Sequence, residues 1–349
     1  MECRVDGDTL RVSGRCHFSD NNRSGDFLLL SQTAKIDSFG AGAYRQNGDT
    51  ITFSGSPAQI SFAYALPLKD YRTTDGAIVL RREGNWYPHR NGELLAVNVH
   101  VETTDCYVIG GSEAEPSFDM HLVLLPKDKY TRTGIDNAPR PFHFYRAASD
   151  TTHYPDAYYS EYTESYNFYC SYFGDTLSPK PMNVVEIGDP QFVMCQSLRD
   201  MIILGHYFYQ IYTMIPDFSW IPHEVAHQWW GNNIFFEHRD YALSESLTEY
   251  IKLQFLKSRG RGYNEQTNYF LAMIERAERQ LPIATINSVE SQDESIAIYH
   301  AVPYRLEQLN VARVNAALQR LYNTHKHTVV HRDTFLKECG LMKTWLQSK

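Results

Sequence analysis

The chain has 349 residues, 43% of them hydrophobic, and carries 33 Lys+Arg against 41 Asp+Glu for a formal net charge of -8. That is enough apolar material for a sizeable core in two domains, and the acidic balance gives no reason to expect nucleic acid or an anionic membrane as partner. No apolar run approaches the roughly 18 residues of a membrane span.

The opening "MECRVDGDTLRVSG" lacks the charged start, apolar middle and small-residue cleavage site of a secretory signal. The six cysteines, Cys3, Cys16, Cys106, Cys170, Cys195 and Cys339, form no CxxC pair and no dense framework. Reduced thiols in a cytoplasmic protein are therefore the expectation. The chain also opens almost directly into a strand-like segment, as a piece lacking an upstream signal or anchor would.

Residues 1–140 read as an antiparallel β domain. "DFLLLSQ", "DTITFSG", "AQISFAYALPL", "AIVLRR", "ELLAVNVHVE" and "FDMHLVLLP" are short, rich in β-branched and aromatic residues, and bounded by Gly, Asn, Asp and Pro. The turn-rich "TRTGIDNAPRPF", Thr131 to Phe142, suits a domain boundary. Residues 141–349 then read as a mainly helical domain, giving a multidomain α+β chain. Tyr158, Tyr162, Tyr166, Tyr169, Tyr172 and Phe173 recur at helical spacing and predict an aromatic stripe packed into a core. "PMNVVEIG" reads as a strand. "SLTEYIKLQFLKSRG", "VARVNAALQRLYN" and "DTFLKECG" read as helices.

The chemistry concentrates in "WIPHEVAHQWWGNN". Pro222 suits the first turn of a helix, which puts His223 and His227 one turn apart with both imidazoles on one face. Two neutral imidazoles at this spacing can fill two corners of a zinc tetrahedron. Glu224, rotated by about 100° from His223, is kept out of that pair but can reach a water on the metal's open side, as a general base must. The following "ALSESLTEY" offers Glu245 as third ligand. Glu249, one turn on, is placed to hydrogen-bond the back of a ligand histidine and fix its tautomer. Two histidines, a glutamate and one open corner make a catalytic zinc site; a closed structural site has four protein ligands.

"HEVAHQWWGNN" followed by "LSESLTEY" resembles the aminopeptidase N family of gluzincin zinc metallopeptidases, whose helix typically reads HExxHxWxGN. The likeness extends through "GNWYPHR" and "LLAVNVHVE", similar to the end of the family's β domain. It continues through "YFGDTLSPKPMNVVEIG", similar to the lead into its catalytic domain, and "YHAVPYRLEQL", which resembles the stretch carrying the catalytic tyrosine. The resemblance implies a β domain followed by a thermolysin-like catalytic domain, without the family's further C-terminal domains. It implies one Zn2+ per chain on His223, His227 and Glu245, with Glu224 as base and a peptide as substrate. Tyr299 would stabilise the oxyanion; Tyr304 is the alternative. Oligomeric state, side-chain preference and pathway have no signal in the sequence.

Three positions depart from the family pattern. The interval from His227 to Glu245 is one residue short, and Ser246 stands where a glycine usually follows the glutamate. The third is chemical. Where the family has a Gly-Ala-Met-Glu-Asn strand that holds the substrate's amino terminus, this chain reads "DPQFVMCQSLRDMIIL". Aligning Met194 on the methionine puts Cys195 in place of the glutamate and Gln196 in place of the asparagine. A thiol cannot make the charge-assisted bond that selects an ammonium group; Glu186 and Asp189 are the nearby acids that could replace it. The expected function is a zinc peptidase using metal-activated water, aminopeptidase-like with an altered anchor. Its rivals are a noncatalytic zinc-bound peptide-binding module and a zinc hydrolase acting on a non-peptide substrate such as an epoxide. A nucleophilic role for Cys195 finds no Cys-His pairing in the sequence, and an inert buried thiol is the expectation.

Overall fold

The computed structural model describes residues 1–17, 27–40, 43–53, 59–90, 92–111, 113–136, 139–151, 154–193, 195–205, 208, 220–237, 240–286 and 288–347. Met194, residues 137–138 of the expected boundary turn and residues 238–239 of the loop before "ALSESLTEY" lie outside them. The chain divides into two compact units. One comprises Met1–Arg132, Tyr145–Asp150 and Ile187–Phe192, the other Thr133–Phe144, Thr151–Glu186 and Val193–Lys349.

The first unit is mainly β. Along Gln59–Pro67 the side chains of Ile60, Phe62, Tyr64 and Leu66 are buried and the intervening ones are not, the period-two pattern of a half-buried strand. This strand pairs antiparallel with Thr9–His17, setting Leu66 against Leu10 and Tyr64 against Val12, and with Lys35–Phe39. Glu2–Asp6 continues the sheet, and His100–Glu102 closes its edge as the one parallel neighbour. The six expected strands are present, "ELLAVNVHVE" divided into Leu95–Val97 and His100–Glu102. Strands not singled out, such as Lys35–Phe39 and Tyr44–Asn47, expose most of their side chains and so lack an apolar alternation.

The second unit combines helices with most of a five-stranded sheet. The sheet order is Tyr130–Ile135, Phe142–Ala147, Met182–Ile187, Met201–Gly205, Cys195–Leu198, so Cys195 begins an edge strand. Among the described residues the α-helices are α1 (Asp156–Phe173), α2 (Ile221–Ala226), α3 (Tyr241–Arg259), α4 (Tyr263–Arg276), α5 (Gln292–Ile296), α6 (Val302–Glu307), α7 (Val311–His325), α8 (Arg332–Cys339) and α9 (Thr344–Gln347), with a π-helical stretch, Ala297–Ala301, between α5 and α6. Among the described residues no helix is long and apolar enough to cross a membrane.

The aromatic stripe of α1 is buried as its spacing predicts, apart from the half-buried Tyr172, but its hydroxyls also bond. Tyr169 donates to the Pro222 carbonyl at 2.8 Å and so holds the first turn of α2. Tyr158 donates to Glu186 at 2.6 Å. The rings of Tyr166, Tyr169 and Phe173 pack around Trp229, whose indole N–H donates to the Asp175 carbonyl. Phenylalanine at these sites would fill the same space but lose these hydrogen bonds.

Helix α3 is buried on every side from Ala242 to Leu256, a central helix rather than an amphipathic one. Near its C-terminal end Arg259 reaches Glu161 of α1 at 2.5 Å, with both side chains almost fully buried. Removing one partner strands the other charge in the core. Arg259→Met should therefore cost about 3 kcal/mol in urea unfolding, and adding Glu161→Gln should recover part of that loss. A loss under about 1 kcal/mol, the value of a surface pair, would contradict this reading.

Candidate metal centre

Helix α2 is short, and its backbone is set by the motif itself. Trp220 stands at the N-cap, Pro222 lies in the first turn, and the helical bonds run from Glu224 N to Trp220 O and from His227 N to His223 O. The chain then turns through two fully buried tryptophans to Gly231, at φ +115°. A Cβ there would lie 3.1 Å from His227 Nδ1. Glycine is thus needed twice over, for the backbone angle and for room beside the ring.

The two histidines present the same atom to one point. His227 Nδ1 lies 2.9 Å from the Trp230 carbonyl, which can only accept, so Nδ1 carries the proton and Nε2 is free to act as a ligand. His223 Nδ1 lies 2.9 Å from Glu249 Oε1, which sets the same tautomer. The two Nε2 atoms are 2.9 Å apart, and Glu245 Oε2 stands 3.3 Å from His223 Nε2 and 3.5 Å from His227 Nε2. Donors held at about 2.0–2.1 Å around a tetrahedral zinc lie roughly 3.3 Å from each other. The three atoms therefore form a triangle of the size of one face of that tetrahedron. These residues are the one group of acidic, histidine or cysteine side chains arranged to hold a metal among the described residues.

The electrostatics agree. Burial alone would lower His223, yet the bonds and charges of Glu245 and Glu249 raise it to about 10. Burial alone would raise Glu245, yet the two imidazoles hold it far below the carboxylate range. Glu249, opposed by burial but favoured by Lys252 and then His223, falls to about 2. The pocket is built to stabilise positive charge between these donors. An N, N, O set suits zinc and also other divalent transition metals.

Glu224 is buried on the first turn of α2 and is not one of the converging donors. It neighbours Cys195, whose thiol is pushed far up, first by burial and then by the Glu224 carboxylate. A thiol so raised stays neutral and is a poor nucleophile. The two nearby acids named in the sequence, Glu186 and Asp189, have partners of their own. Glu186 accepts the Tyr158 hydroxyl, and Asp189 accepts the N–H groups of Thr74 and Gln191.

Tyr299 sits in the π-helical stretch with its ring 6.2 Å from that of His223. Tyr304, the other candidate, packs partly buried against the helical core. Pro303 accounts for the register: it has no N–H to offer the carbonyl of residue 299, so the α-helical ladder cannot continue there. Ser246 compensates nearby. Its hydroxyl lies 2.8 Å from the carbonyls of both Ala242 and Ile298, tying α3 to the π turn. The residue that departs from the expected glycine thus links Glu245 to Tyr299.

Sequence reasoning missed Gln228 and Tyr241. Gln228, fully buried directly after His227, donates to Ser197 Oγ and the Leu198 carbonyl at 2.7 Å and accepts the Asp200 N–H at 2.9 Å. It fixes the edge strand carrying Cys195 to the histidine-bearing segment. Tyr241, one turn before Glu245 on α3, places its hydroxyl 3.4 Å from that of Tyr299. The local signal for Tyr241 was its i, i+4 relation to Glu245; Gln228 offered none.

No protein-family model matches the sequence, and no curated protein matches it. Solved structures do match in fold. A mutant M1 zinc metallopeptidase from Deinococcus radiodurans, bound to a Tyr-Ser-Ala substrate, superposes with a TM-score of 0.74 at 13% identity, over 99% of this chain and 92% of that one. The M1 zinc metallopeptidase from the same organism gives 0.72 at 13% identity, over 99% and 91%. A two-domain M1 zinc metallopeptidase mutant bound to L-tryptophan gives 0.74 at 14% identity, over 99% and 91%. A β unit followed by a mainly helical unit is the fold that this chain shares with these peptidases.

Proposed function

We propose that the chain is a zinc-dependent peptidase, aminopeptidase-like in architecture, with an altered anchor for the substrate's amino terminus. The observation that carries this reading is the triangle of His223 Nε2, His227 Nε2 and Glu245 Oε2, with Glu224 beside it but outside it. Neighbours in fold that are zinc metallopeptidases, one of them bound to a tripeptide, support the same class of substrate.

His223, His227 and Glu245 would hold the zinc, whose chemistry is Lewis acidity toward a carbonyl oxygen and acidification of water. The rest falls to the chain's own groups. Glu224 takes a proton from the attacking water and hands it to the departing amine, which leaves its carboxylate as it began. The Tyr299 hydroxyl donates to the oxygen that gains charge as the carbonyl becomes tetrahedral. Glu249 and the Trp230 carbonyl keep both imidazoles in one tautomer throughout. Glu224→Gln keeps the shape and removes the base. It should lower kcat by about 10²–10⁴ while zinc content by elemental analysis stays near one per chain. Zinc bound by a wild type that cleaves no peptide would turn the reading to the binding module.

The anchor is the second point. Cys195 stands beside Glu224 as a neutral thiol, while Glu186 accepts the Tyr158 hydroxyl and Asp189 the N–H groups of Thr74 and Gln191. Hydrogen bonds to charged groups contribute about 1.5–3 kcal/mol, and on this reading a neutral thiol at position 195 supplies none to a substrate ammonium. Free-amine and N-acetylated forms of one peptide should thus differ by under about tenfold in kcat/KM. A preference of a hundredfold or more for the free amine would refute the altered anchor.

A further inference from the structure

Tyr241 and Tyr299 approach the same centre from different elements. Tyr241 lies on the first turn of α3, four residues before Glu245 and so on the same face of that helix. Tyr299 comes from the π turn, which Ser246 fastens to α3. Their oxygens are 3.4 Å apart, and this is the only hydrogen bond to the Tyr299 hydroxyl among the described residues. Tyr241 is 40% exposed, and Tyr299 is partly buried against the helical core.

We propose that Tyr241 is a positioning residue: its hydroxyl donates to the Tyr299 oxygen and leaves the Tyr299 O–H directed toward the His223–His227–Glu245 face. Phenols ionise near pH 10 and are protonated at neutral pH, so the pair holds two O–H groups. One is spent between the two oxygens and the other remains available. When the Tyr299 O–H donates to a developing oxyanion, its oxygen can only accept from Tyr241, so Tyr241 supplies the proton between the two. A hydroxyl that accepts one bond also becomes a stronger donor of the next. Tyr299 would then meet a developing oxyanion already oriented and polarised.

The kinetic consequence rests on the peptidase reading; the structural one does not. With zinc-loaded protein and one reporter peptide, Tyr241→Phe should lower kcat about fivefold and leave KM within about twofold, as for a neutral bond felt in the transition state. In a Tyr299→Phe background the same change should have no further effect, since its only route of action is gone. A crystal structure of Tyr241→Phe should show the Tyr299 side chain shifted or split between rotamers. Independent, multiplicative losses in the double variant, or an effect on KM alone, would overturn the proposal and make Tyr241 a wall of the substrate site. If the wild type cleaves no peptide, the peptidase reading fails. The crystallographic comparison still decides the positioning role, and an unmoved, single-rotamer Tyr299 would end it.

Discussion

Two carboxylates, Glu245 and Glu249, are buried on a helix that has no solvent-facing side over most of its length. Burying an ionised carboxylate is costly unless charge and hydrogen bonds compensate it, and here the compensation comes from two imidazoles and Lys252. That requirement shapes the second unit. It fixes which nitrogen of each ring is protonated and how closely α2 and α3 approach. It also fixes which atoms are left facing one another, and those atoms are good ligands for a hard or borderline divalent cation.

The surrounding parts hold this geometry because α2 is too short to hold itself. A helix of six residues gains little from its own hydrogen bonds. Its start is held by the Tyr169 hydroxyl, its end by the buried tryptophans and Gly231, and its flank by Gln228. The π turn is secured in the same way, by Ser246 donating to a carbonyl that the irregular register leaves off the helical ladder. The irregular backbone of the π turn and the turn at Gly231 lie where the proposed chemistry is.

Much of the site was legible because its geometry is local. The i, i+4 spacing of His223 and His227 and the one-turn offset of Glu249 from Glu245 are properties of a helix, whatever it packs against. The aromatic stripe and the apolar strands were legible for the same reason. What escaped depends on partners far away in sequence. Gln228 reads as one more polar residue until Leu198 and Asp200 are folded beside it. Ser246 reads as a harmless replacement of glycine until the Ile298 carbonyl arrives. Glu186 and Asp189 are candidates for an anchor by position, and only tertiary contacts reveal that Glu186 accepts the Tyr158 hydroxyl and Asp189 the Thr74 N–H. The polar edge strands escaped because they bury little and so carry no alternation.

The convergence of three donors on one cation can be tested directly by anomalous diffraction from crystals soaked in zinc. The expected result is a single strong peak about 2.0–2.2 Å from Nε2 of His223, Nε2 of His227 and one carboxylate oxygen of Glu245. A peak that omits Glu245, or no peak between the two rings at saturating zinc, would contradict it.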